Sequence, residues 1–276
     1  MFVDKLRRRW TDQNTLLTIG LDPDLARFPE LLRNRKDAIF AFNRAIIDAT
    51  ADLVCAFKPQ LAHYSAYGAE AQLSETIDYI RREHPGIAIL LDAKRGDIPS
   101  TAEMYAREAF DRYGADALTV NPYLGFDAIE PFLARSDKGV VVLCRTSNPG
   151  ARTFQDLRID GQPLYLRVAQ EAVLRWNQHG NVLLVVGATY PAELRELREL
   201  SGNVPFLVPG VGAQEASVAD AVENGQDNQG TGLLVSTSRA VLYASSGADF
   251  ALAARQKALA LRDEINRVRR ARRVDI

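Results

Sequence analysis

The sequence predicts an α/β fold, a (β/α)8 TIM barrel that takes in residues 1–276 as one domain. Three observations carry this. Short apolar runs and amphipathic stretches alternate strictly, eight times, along the whole chain. The runs are nearly uninterrupted, as parallel strands covered on both faces must be. A length of 276 residues suits one large α/β barrel and is awkward for two average domains.

The first strand is expected at 16–21 (LLTIGL), running into the loop GLDPD. A dinucleotide-binding open sheet would carry G-x-G-x-x-G there, so the doubly wound alternative loses its main support. A helical pattern at 37–51 leads to a second strand at 53–58, and one at 69–83 leads to a third at 88–94. Helix 100–113 and strand 117–121 follow, then helix 126–134 and strand 140–145. Helix 164–179, strand 182–186, helix 191–200 and strand 206–208 come next. Helix 214–223, strand 233–236 and helix 250–270 complete the alternation. Early acids in TAEM at 101–104 and a first-turn proline in PAE at 191–193 mark helix starts. The glycine-rich stretch 225–232 precedes a strand, which makes it a turn on the amino-terminal face, away from chemistry.

Composition narrows the function class. Apolar residues make up 47% and the formal net charge is −1, so nothing in the overall electrostatics recruits nucleic acid or an anionic membrane. The arginine-rich run 267–273 reads as the solvated, cation-rich end of a last helix, favourable to its dipole. Cys55 and Cys144 sit in apolar runs, as buried free thiols of a reducing compartment do. The basic amino terminus lacks the apolar stretch of a signal peptide, and no run approaches a membrane span. A cytoplasmic protein is expected.

Barrel chemistry sits at the carboxy-terminal strand ends. Those ends carry Asp22, Lys58, the pair Asp92 and Lys94, Asn121, the segment 145–150 (RTSNPG), the segment 209–214 (PGVGAQ) and Arg239. Alternation along the third strand puts Asp92 and Lys94 on one face. With Lys58 beside them and Asp97 in the following loop, an alternating Lys–Asp–Lys–Asp array results. Charges in a barrel interior are costly unless paired, which makes this array a functional candidate. Gly210 and Gly212 bare backbone N–H groups before a helix start, and Arg239 follows the last strand. Loops after strands seven and eight are where barrels commonly hold phosphate. His63, His84 and His179 show no metal-ligand spacing, and no G-x-S-x-G elbow occurs.

With these motifs in order, the chain resembles the orotidine 5′-phosphate decarboxylases, in the longer of their two bacterial branches (type 2). LDAKRGDI carries the resemblance, with AFKPQ before it and PGVGAQ and TSRAVLYA after it. The resemblance runs from GLDPD to LYA, nearly the whole chain, and implies a lyase of UMP biosynthesis acting as a homodimer. It implies that Lys94 protonates C6 of the pyrimidine as CO2 departs, that Asp92 stands beside the substrate carboxylate, and that Lys58 bridges the ribose and the charges. Asp97 and Thr101 resemble a pair shared across a dimer interface. Asp22 matches a ribose contact, Ser147 the serine facing the base, and Gln214 and Arg239 the phosphate grip. Where the shorter branch has glycine before the phosphate arginine, Ser238 stands here.

The implied chemistry needs no cofactor and no metal, because an ammonium beside the reacting carbon both stabilises negative charge and supplies the proton. A rival reading is a Mg2+-dependent sugar-phosphate enzyme sharing D-x-K-x-x-D, but Lys58 and Lys94 occupy the place of that cation. A non-catalytic phosphate binder would not need four charges.

Overall fold

A computed structural model describes residues 1–211 and 217–273. Eight parallel strands close into a barrel. They are β1 (Leu17–Leu21), β2 (Ala56–Pro59), β3 (Ala88–Arg95), β4 (Ala117–Val120), β5 (Gly139–Arg145), β6 (Val182–Val186), β7 (Phe206–Pro209) and β8 (Leu233–Thr237). Each pairs with its chain neighbours, and β8 returns to β1 with Leu17 opposite Val235. Five strands are buried at every residue, which is why they read as uninterrupted apolar runs. Around them lie α1 (Phe2–Thr11), α2 (Ala38–Thr50), α3 (Glu70–Glu83), α4 (Pro99–Ala106), α5 (Leu164–Gln170), α6 (Pro191–Ser201), α7 (Val218–Gly225) and α8 (Phe250–Arg273).

The predicted alternation is observed, with local corrections. Strand 53–58 begins only at Ala56, because a turn after α2 (Leu53 N–H to Thr50 O, 2.9 Å) occupies the preceding residues. The helix expected at 126–134 shrinks to Glu130–Leu133, preceded by a 3-10 turn at Pro122–Leu124. Gly125, at φ 95°, breaks the chain between them, and Pro131 can only open a helix. The helices expected at 100–113 and 164–179 pass into π turns at Arg107–Arg112 and Glu171–Trp176. A small antiparallel pair, Arg158–Ile159 with Gln162–Pro163, has no counterpart in the sequence reading.

The sequence reading also missed α1, which closes the amino-terminal mouth. Phe2, Val3, Leu6 and Trp10 fall on one face and are buried. Gly139 makes room for the first of them, since a Cβ there would collide with the Phe2 ring. Lys5 pairs with Asp116 at 2.8 Å, and Arg9 donates to the carbonyls of Ala51 and Val54. The arginine run of α8 is not wholly solvated as expected. Arg269 turns inward, 4% exposed, and donates to the carbonyls of Gly230 and Trp10.

Candidate active site

Seven of the eight strands, and Asp22 just beyond β1, send residues to a cavity of about 350 Å³ at the carboxy-terminal rim. Its floor is the charge cluster. Lys58 Nζ donates to Asp92 Oδ2 at 2.9 Å, and Lys94 Nζ donates to Asp92 Oδ1 at 2.8 Å. Thr119 on β4 donates to the same Oδ1 at 2.8 Å and accepts the backbone N–H groups of Ala93 and Lys94. Both Asp92 oxygens are thus engaged. Burial alone would raise the Asp92 carboxyl pKa, but the two ammoniums outweigh it and hold the carboxyl well below the ordinary carboxylate range. Burial would likewise lower Lys58, yet Asp22 and Asp92 keep it above the ordinary lysine value.

The two lysines are not equivalent. The Lys58 side chain is 7% exposed and that of Lys94 is 46% exposed. Lys58 is fixed in the floor, whereas Lys94 is held by Asp92 on one side and remains open to an incoming molecule. Regular alternation does not bring Asp92 and Lys94 together, as the sequence reading supposed. The pairing of β3 with β4 slips between Leu91 and Arg95, and Lys94 adopts φ 49°, a left-handed conformation costly for a lysine. The irregular strand end aims the ammonium.

Asp22 lies 3.9 Å from Lys58 Nζ, and its Oδ1 is buried without a hydrogen-bond partner among the described residues. Its loop is firmly anchored. Tyr243 Oη donates to the Asp22 carbonyl at 3.0 Å and accepts Asp24 N–H at 2.7 Å, while Tyr64 Oη donates to the Leu21 carbonyl at 3.1 Å. On the neighbouring strand β8, paired with β1, Thr237 Oγ1 is a second buried oxygen without a hydrogen-bond partner among the described residues. The cavity therefore presents unmet acceptor and donor capacity beside the paired charges of Lys58, Asp92 and Lys94, the pattern of a site for a polar ligand.

Ser147 and Gly210 line the cavity, as does Arg239, whose exposed guanidinium makes no ion pair among the described residues. Gly210 takes φ 90°, open to glycine and strained for other residues. Gly212 and Gln214 lie outside the described residues. The four-charge array forms only in part. Asp22 joins Lys58, Asp92 and Lys94, but Asp97 stands off the cavity of its own chain, its carboxylate accepting Ile98 N–H at 2.8 Å. Thr101, in the first turn of α4, is also absent from the lining.

Sequence reasoning missed Thr119, Tyr64 and Tyr243. Thr119 carried a usable signal, because it sits one step inside a strand end next to the charged strand. Asn121, read as that strand's polar end, instead accepts Tyr123 N–H at 3.1 Å.

The orotidine 5′-phosphate decarboxylase / HUMPS family model matches residues 15–253. An orotidine 5′-phosphate decarboxylase of Cellvibrio japonicus is 57% identical over 267 residues, covering 96% of this chain and 98% of the relative. One from a Janthinobacterium species is 56% identical over 266 residues, covering 96% and 98%. Among solved structures, the OMP decarboxylase of Leishmania donovani superposes with a TM-score of 0.84 at 38% identity, covering 97% of this chain and 98% of that one.

Proposed function

The chain belongs to the orotidine 5′-phosphate decarboxylase / HUMPS family and converts orotidine 5′-phosphate to UMP and CO2 in pyrimidine biosynthesis, and on that premise we propose how its residues do so. The bond from C6 to the carboxylate breaks, CO2 leaves, and the electron pair remains on C6. Lys94 stabilises that charge and delivers a proton from Nζ to C6. Asp92, held ionised, stands beside the substrate carboxylate and disfavours the ground state more than the transition state. The observation that carries this reading is the half-exposed ammonium fixed 2.8 Å from a buried, fully engaged carboxylate.

Asp22 Oδ1, buried without a partner, takes a ribose hydroxyl, and Lys58 bridges the ribose and the charge cluster. Ser147 faces the base. Arg239, Gln214 and the backbone at Gly210 and Gly212 hold the phosphate, whose binding energy orders the loops and the charges. The reaction uses no metal and no cofactor, and the protein works in the cytoplasm as one barrel domain per chain.

The active form is a homodimer in which Asp97 and Thr101 serve the partner's cavity. Support comes from their position off their own cavity and from the apolar surface around them. Ile98, Met104, Tyr123 and Leu124 are 58, 52, 83 and 49% exposed, a cluster that a closed two-fold contact would cover. Complementation tests this. In buffer with EDTA, wild type should consume orotidine 5′-phosphate, while Asp97→Ala and Lys94→Ala chains alone should not. Random exchange of the two should restore roughly a quarter of wild-type activity, since about half the dimers then hold one intact site. A mixture that stays inactive after verified exchange removes the shared site, and loss of wild-type activity in EDTA removes metal independence.

A further inference from the structure

We infer that Gln155, backed by Arg145, is a positioning residue that fixes Ser147 against the pyrimidine ring; the inference rests on the reading of Ser147 as the base contact. Thr146, Ser147 and Asn148 line the cavity outside any helix or strand. Their placement therefore depends on side-chain bonds, and Gln155 supplies a pair of them. Its Oε1 accepts Thr146 N–H at 2.9 Å, and its Nε2 donates to Thr146 Oγ1 at 2.9 Å. The same hydroxyl donates to Asn148 Oδ1 at 2.7 Å. The clamp thus grips the residue on each side of Ser147 and leaves the serine itself for the ligand.

Arg145 holds the clamp. It is 1% exposed, yet it carries a full charge, which is costly unless well paired. Its Nη1 donates to Gln155 Oε1 at 3.3 Å, its Nη2 pairs with Asp156 at 3.1 Å, and its Nε pairs with Glu193 in the first turn of α6. The Tyr190 ring lies 4.3 Å from the guanidinium. Gly187, just beyond β6, completes the seat from the other side. A Cβ there would come within 2.9 Å of Ser147 N and Cβ, so the serine backbone lies directly on the glycine. Arg145 and Gly187 together register the loop after β5 against the loop after β6, and Gln155 passes that register to Ser147.

Ser147→Ala, Gln155→Leu, their double variant and Gln155→Glu test this through two ligands, UMP and ribose 5-phosphate, which lacks the base. Gln155→Leu should weaken UMP and lower kcat/KM by roughly ten- to a hundredfold, the effect of a small misplacement. Ribose 5-phosphate should change by less than about twofold, because the phosphate and ribose contacts lie elsewhere. The double variant should be no worse than Ser147→Ala within about twofold, because the clamp acts through the serine. Gln155→Glu keeps the acceptor for Thr146 N–H and should recover part of the loss. Equal weakening of both ligands, or losses that multiply in the double variant, would overturn the inference. If Ser147→Ala alone binds UMP as wild type does, the reading of Ser147 fails, and the inference falls with it.

Discussion

The two faces of the barrel bury charge in opposite ways. At the amino-terminal face, Arg198 is 8% exposed and donates to the carbonyls of Gly202, Val204, Gly225 and Gly232. Asp227 beside it accepts Gln229 N–H, Thr231 N–H and the Thr231 hydroxyl. These groups tie loops to one another, and the left-handed turns among them fall on Gly202, Gly230 and Gly232, where they cost little. At the carboxy-terminal face the cavity is lined by two residues of positive φ, Gly210 and Lys94, of which only Lys94 carries a side chain. Its ammonium is half open, and among the described residues Asp22 Oδ1 and Thr237 Oγ1 have no hydrogen-bond partner. Burial of a charge alone does not mark a catalytic group. What distinguishes the candidate site is bonding capacity left unmet toward a cavity, beside a left-handed lysine whose side chain enters that cavity.

Asp92→Asn should have the largest effect, because Asp92 is a buried anchor of two lysines and part of the proposed catalytic cluster. It anchors both lysines, so its loss leaves Lys58 buried with only the more distant Asp22. We expect a stability loss of about 3–5 kcal/mol in urea unfolding and a fall in kcat/KM of at least about 10²-fold. The carboxyl pKa is depressed in the fold, so its contribution is present above the unfolded value of about 3.9 and is lost as pH falls below it. Lys58 is raised, so its contribution persists below about pH 10.4 and fades as pH rises further. The stability gap between wild type and Asp92→Asn should therefore stay constant between about pH 5 and 9 and narrow below about pH 4. A gap that changes across neutral pH would place the coupling elsewhere.

The sequence made the working face more legible than the sealing face. Eight strands could be read because parallel strands buried on both sides are apolar without interruption, and the polar residues that end them stand out. Lys58, Asp92, Lys94 and Asp22 were found that way. The reason Asp92 and Lys94 meet was not legible, since a bulge and a left-handed lysine leave no periodic trace. Thr119 was hidden because threonine is an ordinary strand residue. Tyr64 and Tyr243 reach the Asp22 loop from helical segments remote in sequence, and only the closed barrel brings them there. On the other face, α1 was missed because its buried positions are interleaved with five charges. Arg269 was misread because a buried arginine capped by carbonyls looks, in sequence, like any helix-end cation.

Arg198→Met probes the amino-terminal face. The methionine keeps an apolar stem but loses the guanidinium that lies 3.7 Å over the Phe206 ring, and it leaves buried carbonyls without a donor, costing about 3 kcal/mol or more. Denaturant unfolding should show that loss, with kcat of the folded enzyme unchanged within about twofold. A kcat that falls with stability would mean the two faces are coupled.

The smallest effect is expected where the amino-terminal face departs from its own pattern. Gln226 is 2% exposed, and neither its Nε2 nor its Oε1 has a hydrogen-bond partner among the described residues. Gln226→Leu should leave kcat/KM unchanged and raise the stability by up to about 1 kcal/mol, because it removes an unmet polar group. A measurable loss of activity would assign that amide a task.

In the proposed mechanism the half-open ammonium of Lys94 performs the chemistry while the buried charges beneath it hold it in place. The most direct test is the single-turnover rate of Lys94→Ala on orotidine 5′-phosphate, measured alongside its circular dichroism and its affinity for UMP. The fold and the UMP binding should persist, because Lys94 is exposed and the Lys58–Asp92 pair remains. Decarboxylation should fall by more than about 10³-fold, combining the loss of the proton donor with that of its charge. A folded variant that binds UMP and decarboxylates within about tenfold of wild type would contradict the account.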